Sequence, residues 1–131
     1  MVAGSTAVLV HNCGGATLNL TYKPGWSADQ IAAADTKVQA LNDAGPLTVT
    51  SVSRSGSAAS VWRAAGNETV SGSDIDHTVD LQLGGVDDVS NMNPLNLSVN
   101  RSLGAQIAAQ LRGQGLQPGD IVCSITIGPR C

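Results

Sequence analysis

The chain predicts a small single domain of the α+β class, and three observations carry that expectation. Residues 28–44 and 97–113 show the spacing of apolar residues that buries one face of a helix. Short alternating or apolar runs, punctuated by Gly and Pro, read as strands between and after them. Residues 74–113 read as strand, turn, strand, helix, a compact unit to which the other helices and strands are added. At 131 residues the chain is long enough for one core. Aromatic residues are 2% of it and Phe is absent, so that core must be built from Val, Leu, Ile and Ala, with Tyr22, Trp26 and Trp62 at its edges.

Each element has a local reason. Ala7 to Val10 is an apolar run that ends in His11-Asn12-Cys13. Ser27 and Gln30 form a capping box that starts a helix running to about Ala44. Its apolar face is Ile31, Ala34, Val38 and Leu41, and Gly45-Pro46 stops it. Residues 47–52 alternate like a strand, and a shorter helix over about 57–65 is closed by Gly66. Ile75, Val79, Leu81 and Leu83 mark an apolar β segment ending at the Gly84-Gly85 turn. A second short run, Met92 to Leu95, contains Pro94, which confines it to an edge or irregular strand. Asn96 or Ser98 caps the next helix, in which Val99, Leu103, Ile107 and Leu111 recur every four residues. Gly113, Gly115 and Pro118 end it, and residues 120–127 form a last strand.

The chemistry concentrates in residues 74–104, DIDHTVDLQLGGVDDVSNMNPLNLSVNRSLG. Hydrolysis of a phosphodiester needs a base to take a proton from water and a cation to neutralise charge building on phosphorus. His77 is one of two histidines in the chain, and imidazole ordinarily titrates close to working pH. Asp76 and the amide oxygen of Asn100 are hard donors of the kind Mg²⁺ or Mn²⁺ prefers. Arg101, Arg63 and Arg54 carry the side chain best suited to two-pronged contact with phosphate.

The order Asp76-His77, Gly84-Gly85, Asn91, Asn100-Arg101 resembles the HNH family of ββα-metal (His-Me finger) endonucleases. CRISPR effector nucleases with an HNH domain show a similar order. The resemblance covers roughly a quarter of the chain. It implies a general base at His77, an imidazole-orienting amide at Asn91, ligands to one divalent ion at Asp76 and Asn100, and a nucleic-acid substrate, DNA favoured over RNA. Many relatives hold a structural zinc by paired cysteines near the second strand and the helix. Asn96 and Val99 stand there instead, so no structural zinc is expected. The zinc deaminase pattern is also missing, since Thr78 and Val79 follow His77 and no PCxxC is present.

Ala7-Val8-Leu9-Val10-His11-Asn12-Cys13 resembles the C-terminal junction of Hint and intein domains, where the asparagine cuts the chain after itself. Polymorphic toxins of bacteria place such a domain before a small nuclease. The two resemblances together imply a remnant over residues 1–12 and a toxin domain over 13–131. They further imply secretion as part of a larger toxin, delivery to the cytoplasm of a target cell, and a cognate immunity protein. The domain is expected to be monomeric and without membrane contact, because no run reaches spanning length. Residues 1–10 also lack the basic start of a signal peptide.

Net charge is −3, which opposes tight, extended, salt-sensitive binding to DNA. The acids cluster where a cation would offset them, at Asp74, Asp76, Asp80, Asp87 and Asp88. Three cysteines, Cys13, Cys123 and Cys131, have no metal-site spacing. Cys123 and Cys131 are close enough in sequence to pair by disulfide, with two free thiols as the equal alternative and Cys13 unpaired in both. Two function classes stay open: a metal-dependent nuclease toxin cutting DNA or RNA, and a non-enzymatic binding tip on a degenerate nuclease fold.

Overall fold

The computed structural model describes residues 13–52 and 56–128. The Hint-like junction up to Asn12, Arg54 and Cys131 lie outside these residues. In chain order the elements are β1 (Ala16–Leu20), α1 (Ala28–Asp43), β2 (Leu47–Thr48), α2 (Ala58–Ala64), β3 (Ser73–His77), β4 (Met92–Asn96), α3 (Leu97–Gly113) and β5 (Ile121–Ile127). The architecture is a small α+β domain. No helix among the described residues is long and apolar enough to cross a membrane.

Two sheets divide the work. In the first, β5 is central, with β1 parallel on one side and β2 antiparallel on the other. A parallel neighbour requires a crossover connection, and here the crossover holds nearly every other element of the domain. In the second, β3 and β4 run antiparallel, with Asp76 opposite Asn93 and His77 opposite Met92. The chain passes from β4 directly into α3, so β3, β4 and α3 make up the expected strand–strand–helix unit.

Helix α1 starts on the capping box read from Ser27 and Gln30, with both reciprocal hydrogen bonds formed. It packs against β5, and α3 packs against β1. Val99, Leu103, Ile107 and Leu111, one row along α3, are all buried in the main core with Leu18, Leu20, Leu41, Val122 and Ile125. Asn96 caps α3 by accepting a hydrogen bond from the Val99 amide at 3.2 Å. Tyr22 and Trp26 are partly buried against that core. A smaller cluster of Ala58, Ile75 and Met92, with Trp62 beside it, seats α2 on the β3–β4 hairpin.

Three expectations differ from what is found. The segment read as a strand to Leu83 leaves the sheet after His77, and Leu81–Leu83 forms one 3₁₀ turn that buries both leucines. The turn is closed by the Asp80 carbonyl, which accepts from the Leu83 and Gly85 amides, and Gly84 takes a positive φ of 92°. The strand read over 47–52 pairs as a strand only at Leu47–Thr48, because Thr50 turns its amide to the Gln82 carbonyl in that same loop. Ile31 on α1 is half-buried, while Lys37 takes a place on the buried face.

The disulfide expectation is corrected. Cys123 pairs with Cys13, with Cα atoms 5.8 Å apart, and so ties the start of the described chain to the central strand. The neighbouring backbone is fitted closely here: the Gly15 amide donates to Cys123 Sγ, and a Cβ on Gly15 would lie 2.3 Å from the Ile121 carbonyl oxygen. The bridge closes a loop across 110 residues of sequence. Removing a native disulfide typically costs about 2–5 kcal/mol, and long loops lie toward the upper end in the chain-entropy account. In a chain begun at Cys13, Cys123→Ser or added reductant is therefore expected to lower the unfolding free energy by that order, read as a lower urea midpoint. An unchanged midpoint would show that the bridge contributes nothing to folding.

Candidate active site

Strand β3, the loop that follows it and the first turns of α3 border a cleft of about 320 Å³. Asp76, His77, Asp80, Asn100 and Arg101 line it, with Ile75, Leu81 and Ala58 supplying apolar wall. Four of the residues singled out in the sequence, Asp76, His77, Asn100 and Arg101, thus come together. Asn91 and Arg63 do not line the cleft; Arg63 is exposed on α2, and Arg54 is outside the described residues.

His77 is buried at the end of β3, and its Nε2 lies 2.8 Å from Asp87 Oδ1. With a carboxylate there, Nε2 carries the proton in the neutral ring and Nδ1 keeps its lone pair. The orienting group is therefore Asp87, which corrects the role read for Asn91. The Asn91 amide is spent on backbone: its oxygen accepts from the Val79 amide, and its nitrogen donates to the Val79 and Val86 carbonyls. These bonds staple the loop between β3 and β4, and Val86 is the residue immediately before Asp87. The Asn91 side chain makes no hydrogen bond to the His77 ring, and it acts on the loop that carries Asp87. Gly85 is part of the same closure, since a Cβ there would overlap the Val79 carbonyl at 1.8 Å.

Asp74 anchors the α3 side of the cleft. It accepts from Asn100 Nδ2 at 2.9 Å and from Arg101 Nε at 3.1 Å. Because a carboxylate demands a donor, this contact fixes which way the Asn100 amide faces: nitrogen toward Asp74, oxygen away. Desolvation opposes ionisation of Asp74, but the hydrogen bonds from Asn100 and Arg101 and the Arg101 charge together hold its carboxyl below the usual range.

Lys37 is the residue that sequence reading missed. It reaches from α1 into the site, with its side chain only 5% exposed, and its Nζ stands 2.7 Å from Asp76 Oδ2 and 2.8 Å from Asp80 Oδ1. It also donates to the backbone carbonyls of His77 and Thr78. The signal was present: position 37 falls between Ala34, Val38 and Leu41 on the apolar helix face, where a lysine must find anions or leave the core. Asp80 and Asp87 had been read only as members of an acidic cluster.

Burial raises the Asp76 carboxyl above the usual range; Lys37 pulls it back, Asp80 pushes it up further, and His77 lowers it. Protons therefore compete for Asp76 at a higher pH than for an exposed aspartate, whereas Asp74 stays ionised to lower pH than usual. If Asp76 is a ligand to Mn²⁺, binding of that ion is expected to weaken as pH falls through a window above the ordinary aspartate range, and Asp76→Asn to flatten that slope. A slope that survives Asp76→Asn unaltered would assign it to another group.

Among the described residues no three His, Cys, Asp or Glu side chains close into a metal cage. Mg²⁺ and Mn²⁺ do not require one, since they are commonly held by one or two carboxylates with several waters. Asp76, Asp80 and Asn100 bring oxygens of that type to the cleft, although Asp76 Oδ2 and Asp80 Oδ1 are already ion-paired with the Lys37 ammonium. The remaining oxygens of Asp76 and Asn100 are of the kind such an ion takes. Compared with protein-family models, curated proteins and solved structures, the chain matches none.

Proposed function

We propose that the domain is a metal-dependent endonuclease of the ββα-metal (HNH) kind, hydrolysing phosphodiester bonds of nucleic acid, with DNA favoured over RNA. The observation that carries this reading is the convergence of Asp76, His77, Asn100 and Arg101 on one cleft, with an Asp87 carboxylate against the imidazole. Asp76 and Asn100 would hold the divalent ion, which supplies charge neutralisation at phosphorus when bound. His77 Nδ1 takes the proton of the attacking water as its oxygen bonds to phosphorus and the bond to the leaving oxygen breaks. Asp87 holds the ring in the tautomer that permits this and stabilises the imidazolium that results. Arg101 borders both this cleft and the adjoining groove beside Lys23, which supports giving the part of its guanidinium not taken by Asp74 the role of holding a phosphate oxygen.

In the fuller reading the domain is a monomeric toxin tip, carried on a secreted protein into the cytoplasm of a competing cell and restrained in its producer by an immunity protein. That part rests on the VLVHNC segment together with the nuclease motif. A second reading, a non-enzymatic tip on the same fold, draws on two facts: Lys37 already neutralises Asp76, and net charge is −3. The deciding experiment incubates purified chain with plasmid DNA and with RNA in Mg²⁺ or Mn²⁺, with EDTA as control. Cleavage that EDTA stops supports the nuclease, and its substrate names the target. Intact nucleic acid under all conditions favours the second reading. In an active preparation Asp87→Ala is expected to lower kcat by up to about 10⁴-fold, the scale of losing the carboxylate behind a histidine base, with KM little changed. Wild-type kcat in that variant would remove Asp87 from the mechanism.

A further inference from the structure

The Lys37 ammonium has more acceptors than hydrogens. It owns three N–H donors, and three oxygens take them: Asp76 Oδ2 at 2.7 Å, the His77 carbonyl at 2.6 Å and the Thr78 carbonyl at 3.0 Å. A fourth oxygen, Asp80 Oδ1, stands 2.8 Å from Nζ, buried and without a hydrogen bond. Two carboxylates and two backbone carbonyls thus converge on one point, where the side chains of Lys37, Asp76 and Asp80 are only 5%, 10% and 13% exposed. An ammonium leaves one of the four oxygens without a hydrogen. A bare ion with oxygen preference has no such limit, and Ca²⁺ takes six to eight oxygens in flexible geometry.

We propose that these four oxygens form a cation seat whose resident ion is the Lys37 ammonium, and that its presence excludes a divalent ion there and leaves the cleft side of Asp76 to a single metal. The seat stands on geometry alone; only the last clause rests on the nuclease reading. A fixed positive charge in a poorly solvated position strongly repels a second cation at the same oxygens. Once that charge is removed, two buried carboxylates face each other and attract one. Lys37 is thereby a positioning residue: it holds one oxygen of Asp76 and both carbonyls at the end of β3.

The test uses two variants that lose the same charge and differ in space. Lys37→Ser empties the seat, whereas Lys37→Met keeps a side chain of similar length in it. Ca²⁺ is titrated into each and into the unaltered chain, following heat of binding and thermal midpoint. Lys37→Ser is expected to bind one more Ca²⁺ per chain than the unaltered protein, with a dissociation constant on the order of 10⁻⁴–10⁻³ M, and to gain thermal stability with it. Lys37→Met is expected to gain neither. If Lys37→Ser is unfolded without ion, Ca²⁺-driven refolding is the same positive result. Lys37→Ser that gains neither ion nor fold in about 10 mM Ca²⁺, well above that range, overturns the proposal, as does an equal response in both variants. The cleft is probed separately, by Mn²⁺ binding to the unaltered chain. Its failure to bind would remove the nuclease reading and the single-metal clause while leaving the seat intact.

Discussion

Under the proposed nuclease mechanism, His77→Ala is expected to reduce nucleic-acid cleavage by a factor on the order of 10²–10⁴, the usual contribution of a positioned general base. The ring is buried at the end of β3 and bonded to Asp87, so the variant also leaves a small void and an unpartnered carboxylate. Folding must therefore be measured beside rate. Asp87 is 22% exposed at its side chain and can turn to water, which limits the structural cost. Mn²⁺ affinity is the discriminating readout, because the base is not a ligand: it should stay near that of the unaltered chain while turnover collapses. Asp76→Ala should do the reverse, weakening ion binding first, so that excess Mn²⁺ restores part of the rate. A folded His77→Ala protein that cleaves at the original rate would falsify the mechanism.

Lys37→Met is expected to have the largest effect on stability. Removing one member of a buried ion pair typically costs about 3–5 kcal/mol, because the remaining charge is stranded. Here two carboxylates, Asp76 and Asp80, are stranded together, and two carbonyls lose their donor. Marginal domains have total stabilities of about 5–15 kcal/mol, so a loss of this size removes a large part of the whole. Urea denaturation at neutral pH reads it as a lowered midpoint. At acid pH, where the carboxylates take up protons, the difference between variant and unaltered chain should shrink. A variant as stable as the parent at neutral pH would mean that the pair contributes nothing to folding.

What was legible in the sequence was local. The Ser27–Gln30 box, the Asn96 cap, the Val99-Leu103-Ile107-Leu111 row and the β5 run each depend on residues a few positions apart, and each is found where expected. The ββα unit was legible because its turn and cap chemistry is sequential, and with it the gathering of Asp76, His77 and Asn100. What escaped depends on partners far along the chain. Lys37 meets Asp76 from α1, Cys13 meets Cys123 across most of the domain, and β1 exists because β5 pairs with it. The segment Ala16–Leu20 does alternate, with Leu18 and Leu20 inward, but Thr17 and Asn19 beside them leave too little apolar signal to mark a strand. Asn91 was misassigned because an amide that staples backbone and one that holds a ring look alike in sequence.

The Cys13–Cys123 bridge also decides how this domain bears load. A pull applied to the chain ahead of Cys13 and resisted beyond β5 runs through the sulfur atoms into residue 123 and out along the last strand. The segment between, 110 positions in sequence separation, lies off the line of force. At roughly 3.4 Å per extended residue, on the order of 370 Å of chain is withheld from stretching. A translocating machine that threads proteins as single extended strands would meet a closed ring at residue 13. It can pass the domain only as a folded body, or after a thiol has opened the ring.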